Sequence, residues 1–169
     1  MLFHSNIFIL YFFPLTLLLL FISSKMKFDN KIILILASLF FYSWWNINYL
    51  PLIILSILIN FFLGKKIQKS QNNKKNFLFI SILFNIGLLF SFKYADFFIS
   101  NYNFLTNSEV NKINLPFPLG ISFYTFQIIT YLVDCYYGKI ALHKFKNFAL
   151  FVVFFPQLIA GPIIKYNFL

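Results

Sequence analysis

The chain is 169 residues long, 60% hydrophobic, 23% aromatic and only 11% charged, with 14 basic against 4 acidic side chains and a formal net charge of +10. A soluble domain averages about 25% charged and about 45–50% apolar residues, and a domain this small cannot hide so much apolar material in one core, so a water-soluble globule is excluded. Disorder is excluded by the same figures, and the lone cysteine, Cys135, excludes a disulfide scaffold. An integral membrane protein remains.

In chain order, apolar runs cover 7–24, 32–45, 50–63, 77–92, 117–137 and 148–164. A spanning helix needs about 20 mostly apolar residues, with a lower limit near 17. The first, fifth and sixth runs meet that, and the fourth can extend through Lys93 to about Tyr102. The second and third, roughly 14 residues each, are short enough that re-entrant segments are an alternative to spans. Asn46, Asn48 and Pro51 divide them, and a residue before proline is pushed out of the helical region. This predicts a tight helical hairpin with Trp44, Trp45 and Tyr49 in the headgroup zone. Residues Met1 to Asn6 carry no lysine, whereas a signal peptide starts with positive charge, so the first run is expected to be an uncleaved helix. The tract Gln68–Asn76 reads as a solvated loop, and the longest polar connection, Ser100–Asn114, is too short to hold a domain. The expected fold is all-α: about six transmembrane helices in a single membrane domain, 1–169.

Every basic residue is lysine, and abundant Lys, Asn, Ile and Phe share AT-rich codons, so part of the charge is compositional bias. The lysines sit between apolar runs and not on one face of a soluble module, which argues against nucleic acid as a partner. Loops 25–31, 64–76 and 138–147 hold eleven of the 14 lysines, and the alternate connections hold only Lys93 and Lys112. Cytoplasmic loops are lysine-rich, so the eleven-lysine side is expected to be cytoplasmic and the N-terminus extracytoplasmic.

Motifs of soluble chemistry are missing: no glycine-rich phosphate loop and no metal-spaced Cys or His pairs. His4 and His143 lie outside the apolar runs without a second ligand nearby, and read as solvated or interfacial; no catalytic or metal-binding residue is expected among them. Ionisable groups inside a membrane are costly and so informative. Lys93 and Asp96 share a helix face and are expected to pair at the outer end of the fourth span, with Lys93 snorkelling. Gln127, Tyr131 and Asp134 fall on one helical stripe; Asp134 either marks the interface beside Tyr136 and Tyr137 or faces a polar tunnel with Gln127 and Tyr131. Pro116, Pro118 and Gly120 precede the fifth helix, where proline suits a first turn. Pro156, Gly161 and Pro162 interrupt the sixth run, either as a simple kink or as a broken helix lining a cavity.

At these residues the sequence resembles a family. LPFPLGISFYTFQIITYLVD at 115–134 and FFPQLIAGPI at 154–163 are similar to hallmark segments of bacterial membrane-bound O-acyltransferases, and SLFFYSWW at 38–45 and LLFSFKYADFF at 88–98 fit its alginate O-acetyltransferase branch. The resemblance implies a multi-span enzyme of the bacterial cytoplasmic membrane, built around a tunnel. An acyl donor (acetyl-CoA or another acyl thioester) arrives on the cytoplasmic side and is not a bound cofactor. A hydroxyl of an extracytoplasmic polysaccharide, alginate-like or another cell-surface glycan, receives the acyl group, with membrane lipid and a periplasmic acetyl-transfer protein as further partners. Gln127, Tyr131, Asp134, Lys93 and Asp96 become tunnel-lining or structural candidates, and Pro116, Gly120, Pro156, Gly161 and Pro162 the matching backbone positions. The family's essential histidine, expected to act as general base, falls in a later part of its members, which His4 and His143 do not match. The chain is therefore expected to be an N-terminal portion, in which activity alone is doubtful. A scaffold or accessory subunit is the alternative, and a transporter fragment a third reading.

Overall fold

The computed structural model describes residues 5–140, 144–161 and 166. His4, His143 and Pro162 lie outside the described residues. All regular structure among the described residues is helical, and the all-α membrane architecture expected from the apolar runs is what the chain adopts.

A π-helical turn, Phe8–Phe12, runs directly into α1, Phe13–Lys25. Pro14 in the first turn of α1 has no amide to donate and crowds the carbonyl four residues back, and the ladder widens there, with the Phe13 amide donating to the Phe8 carbonyl. The side chains of Phe8 and Phe12 form a small aromatic cluster with Phe41 and Phe155, with ring centroids 5.3–6.1 Å apart. Most of the α1 surface, including Leu15, Leu18 and Phe21, is exposed hydrocarbon, which suits a helix solvated by lipid.

Helix α2 is Asn30–Trp45, and Asp29 caps it by accepting from the Lys31 amide at 3.1 Å. A 3-10 turn, Ile47–Tyr49, leads into α3, Leu50–Lys69, whose first turn holds Pro51. The expected tight hairpin of α2 on α3 is not formed. Instead α2 packs mainly on α1 and α7, and α3 on α4 and α6. Trp44 and Trp45 are half-exposed, whereas Tyr49 is buried, with its hydroxyl donating to the Pro116 carbonyl.

Helix α4, Lys74–Lys93, follows after only residues 70–73, so the expected loop 64–76 is mostly helical. Lys65, Lys66 and Lys69 lie along the last turns of α3; the final carbonyls favour positive charge there. The Nζ of Lys65 sits 4.4 Å from the centre of the Phe61 ring. The fourth run does not continue as one helix past Lys93: Tyr94 breaks it, and α5 spans Ala95–Thr106. Helix α6 is Ile121–Tyr136, shorter than the apolar run 117–137 because the prolines and Gly120 keep residues before 121 out of the helix. The last run is divided into α7, Phe145–Val153, and α8, Phe155–Ala160.

Three helical stretches among the described residues, Phe8–Lys25, Ile47–Lys69 and Lys74–Lys93, are long and apolar enough to cross a membrane, against about six expected. At about 1.5 Å per residue a helix the length of α2 or α6 falls short of the roughly 30 Å hydrocarbon layer. Helix α6 lies at the centre, packed on α3, α4, α7 and α8. Its buried side chains Tyr124, Ile128, Tyr131 and Leu132 join Ile53, Ile67, Phe148 and Phe151 in the main core.

Contacts sort the helix ends into two groups. At one end Lys146 pairs with Asp29, Lys31 Nζ donates to Asn147 at 3.0 Å, and Gln68 Nε2 donates to the Ile140 carbonyl at 2.9 Å. At the other, Tyr49 bonds Pro116 and Asp96 bonds the loop before α6. The three lysine-rich connections thus gather at a single end of the bundle.

Candidate functional site

The polar stripe of α6 is buried: Gln127 is 4% exposed, Tyr131 0% and Asp134 7%. Gln127 Nε2 donates to the Phe151 carbonyl at 2.8 Å, tying α6 to α7. The Tyr131 ring lies between Phe148 and Tyr166, with centroids 4.3 and 5.5 Å away. Its hydroxyl presses onto α3 at Gly64, where a Cβ would stand 2.3 Å from the oxygen, so the glycine admits the tyrosine. Asp134 is buried beside Cys135, whereas Tyr137 is exposed. The Asp134 backbone carbonyl accepts from the Lys139 amide at 3.0 Å, closing the turn around Gly138, whose φ is +69°.

Lys93 and Asp96 do not form the expected ion pair; among the described residues the ion pair is Lys146 with Asp29. The Tyr94 break separates the two side chains onto different helices. Asp96 Oδ1 accepts from the Ile113 amide at 2.7 Å and Oδ2 from the Asn114 amide at 3.0 Å, pinning the long connection between α5 and α6. A carboxylate holding two backbone amides satisfies donors that an irregular loop would otherwise leave unpaired. Lys93 is exposed, with its ammonium 5.4 Å from the Tyr94 ring centre. It borders two adjoining hollows: one of about 130 Å³ with Ser91, Asp96, Ile113 and Phe117, and an open cleft of about 280 Å³ with Phe117, Gly120, Ser122 and Leu158.

Of the proline and glycine positions, Gly120 lines this cleft. Pro116 offers its carbonyl to Tyr49. Gly120 caps α6 with φ +65°, a left-handed conformation that side chains disfavour, and a Cβ there would stand 2.7 Å from the Leu158 carbonyl oxygen. Pro156 sits in the first turn of α8, just after the break at Phe154, so the run is a broken helix and not a bent one. At Gly161 a Cβ would meet the Gln157 side chain at 2.5 Å. Among the described residues no three His, Cys, Asp or Glu side chains come together as a metal site would require.

Sequence reasoning missed two features. Asn60 of α3 and Asn85 of α4, both buried in mid-helix, exchange amide hydrogen bonds of 3.2 and 2.6 Å, and each also donates to the carbonyl four residues back, Ser56 and Ser81, at 2.8 Å. An asparagine inside each of two successive apolar runs, 50–63 and 77–92, was the available signal. The other feature is a pair of buried hydroxyls, Tyr42 of α2 and Tyr124 of α6, which interact with each other across the core. No sequence period marks these, because only the α2–α6 approach makes them neighbours.

No family model matches the chain, and no solved structure matches it significantly. Curated relatives do. The chain is 39% identical to the peptidoglycan O-acetyltransferase of Helicobacter pylori over 99% of its own length and 37% of that protein. It is 34% identical to the probable alginate O-acetylase AlgI of Pseudomonas aeruginosa, over 99% of this chain and 33% of that one. The identity is again 34% for the probable alginate O-acetylase AlgI of Azotobacter vinelandii, of which 35% is covered. The chain thus spans about a third of the length of the curated relatives it matches. The resemblance to membrane-bound O-acyltransferases, with their alginate O-acetylase branch, is therefore shown along nearly the whole chain.

Proposed function

We propose that this chain is part of a membrane-bound O-acetyltransferase that modifies an extracytoplasmic polysaccharide. The observation that carries this reading is the match of 99% of the chain to proteins named for O-acetylation of two different cell-surface glycans, peptidoglycan and alginate. The chemistry common to both names is ester formation on a sugar hydroxyl. The C–S bond of a thioester donor such as acetyl-CoA breaks and a C–O bond forms on the acceptor. The hydroxyl proton passes by way of a base to the departing sulfur, which leaves as the thiol.

In this reading the lysine-rich end, which carries Lys65, Lys66, Lys139 and Lys146, faces the cytoplasm and the donor. The N-terminus then lies outside the bacterial inner membrane. The cleft bordered by Lys93, Gly120 and Leu158 opens on the acceptor side, where a periplasmic acetyl-transfer protein would also meet the enzyme. Gln127, Tyr131 and Asp134 act by holding α6 in the centre of the bundle and giving the helices around the tunnel their spacing.

Disrupting the gene and measuring base-labile acetate on purified cell-surface polysaccharide tests the proposal. Acetate is expected to fall to background and to return on complementation. Unchanged acetate in the disrupted strain overturns the proposal and leaves a scaffold role.

A further inference from the structure

In an unbroken helix the Phe155 amide would donate to the Phe151 carbonyl, four residues earlier. Helix α7 keeps this pattern up to its end, where the Phe154 amide donates to Leu150 at 3.0 Å. Phe154 then turns out of the helix, with φ −50° and ψ 109°, and the next bond is not made. Both of its halves are taken by side chains from other helices. The Phe155 amide donates to Ser38 Oγ of α2 at 3.2 Å, and the Phe151 carbonyl accepts from Gln127 Nε2 of α6 at 2.8 Å. Ser38 completes its own bonding by donating to the Leu34 carbonyl at 2.7 Å. Ser38, Gln127, Phe151 and Phe155 are all buried, the most exposed at 5%. Buried backbone groups are almost always paired, so a break at this depth persists only where replacement partners are supplied.

We infer that Ser38 and Gln127 are positioning residues that hold the α7–α8 corner, and through it set the wall of the cleft beside Lys93. The corner directs α8 so that the Leu158 carbonyl oxygen stands over Gly120, 2.7 Å from where a Cβ would lie, while Leu158 itself lines the cleft with Ser122 and Lys93. Proline alone is an incomplete account. Pro156 removes its own amide and so the bond to Val152, but the exchanged bond is the one before it, between Phe151 and Phe155. The inference does not rest on the acetyl-transfer reading.

The experiment uses the whole chain in lipid nanodiscs, with a Ser122→Cys reporter in the cleft; Cys135, the one native cysteine, is buried. Two readouts are followed: hydrogen exchange at the Phe155 amide, and the rate of thiol labelling at position 122. Ser38→Ala is expected to speed Phe155 exchange about tenfold or more and to change the labelling rate several-fold. Ser38→Thr, which keeps the hydroxyl, restores both. Gln127→Met, which keeps volume without the donor, is expected to change the labelling rate in the same direction. Pro156→Ala leaves labelling unchanged, because the side-chain bonds still hold the corner. The inference is overturned if Pro156→Ala moves the labelling rate and Ser38→Ala does not, or if both Ser38→Ala readouts match the unsubstituted chain. Should Ser38→Ala fail to fold, the Ser38→Thr and Gln127→Met pair still decides: equal labelling in the two refutes the assignment. Rapid Phe155 exchange in the unsubstituted chain refutes it with no variant at all.

Discussion

Single residues in this bundle are constrained more by close approach than by chemistry. Gly120 is the sharpest case. Its backbone is left-handed and its Cα faces the Leu158 carbonyl at a distance that leaves no space for a Cβ. A left-handed non-glycine residue costs about 1–3 kcal/mol from the backbone alone, and the carbonyl must also move. Gly120→Ala is expected to lower thermal stability in detergent by at least that amount. Gly120→Asn separates the two causes: asparagine tolerates the left-handed region, so a loss that persists in the asparagine variant assigns the effect to contact with Leu158. Full stability of Gly120→Ala would refute both. The sequence showed Gly120 as part of a segment that opens a helix. It could not show the carbonyl from residue 158, which tertiary packing brings there.

At the scale of elements, the helices are joined by polar side chains that cost little to recognise and much to leave alone. The reciprocal Asn60–Asn85 bonds lock α3 to α4 at mid-height. Interhelical hydrogen bonds in membranes contribute roughly 0.6 kcal/mol on average and up to about 1.7 kcal/mol. A double-mutant cycle with Asn60→Ala and Asn85→Ala is expected to return a coupling energy near the upper end, since both amides are saturated by four bonds among themselves and their own helices. Additive losses would mean that the pair packs without bonding.

The ends of α2 and α7 are joined differently, by charge in water. Asp29 takes the Lys146 ammonium and the Lys31 amide, and these hold its carboxyl below the ordinary value of 3.8. A lowered folded-state pKa gives stability that is complete above the unfolded value and disappears as pH falls through the folded one. The stability difference between the native chain and Asp29→Asn is therefore expected to be constant from neutrality to about pH 5 and to close below about pH 4. A difference that grows on acidification would reverse the sign and refute the assignment. Salt should shrink the difference at neutral pH, because the pair is partly exposed.

At the scale of the whole molecule, the contacts collect the lysine-rich connections at one end and the long connection before α6 at the other. The orientation proposed above makes these ends cytoplasmic and periplasmic. With Cys135 buried, single cysteines report each end cleanly. An Asn72→Cys variant in the α3–α4 turn is expected to resist a membrane-impermeant thiol reagent in intact spheroplasts and to react after lysis. Glu109→Cys, in the connection after α5, is expected to react without lysis. The opposite pattern would invert the bundle and remove the cleft from the acceptor side.

The sequence by itself determined the solvent of this protein, its helical class and the gathering of charge between apolar runs, because hydrocarbon content and lysine placement act locally, whatever the packing. It also carried the resemblance, since short ordered segments survive in the primary chain. It marked the apolar runs but not the helix ends within them: an apolar run is necessary for a spanning helix, but Pro118, Gly120 and the Phe154 break decide where a run is actually helical. It paired Lys93 with Asp96 on one face, and the turn at Tyr94 handed the carboxylate to the Ile113 and Asn114 amides instead. It placed Gln127 on a polar stripe, and only the approach of α7 revealed that its amide completes a backbone bond broken in another helix. Those decisions belong to tertiary structure for one physical reason. Inside a membrane a polar group is tolerated only where a partner meets it, and which partner does so depends on how helices far apart in the chain come together.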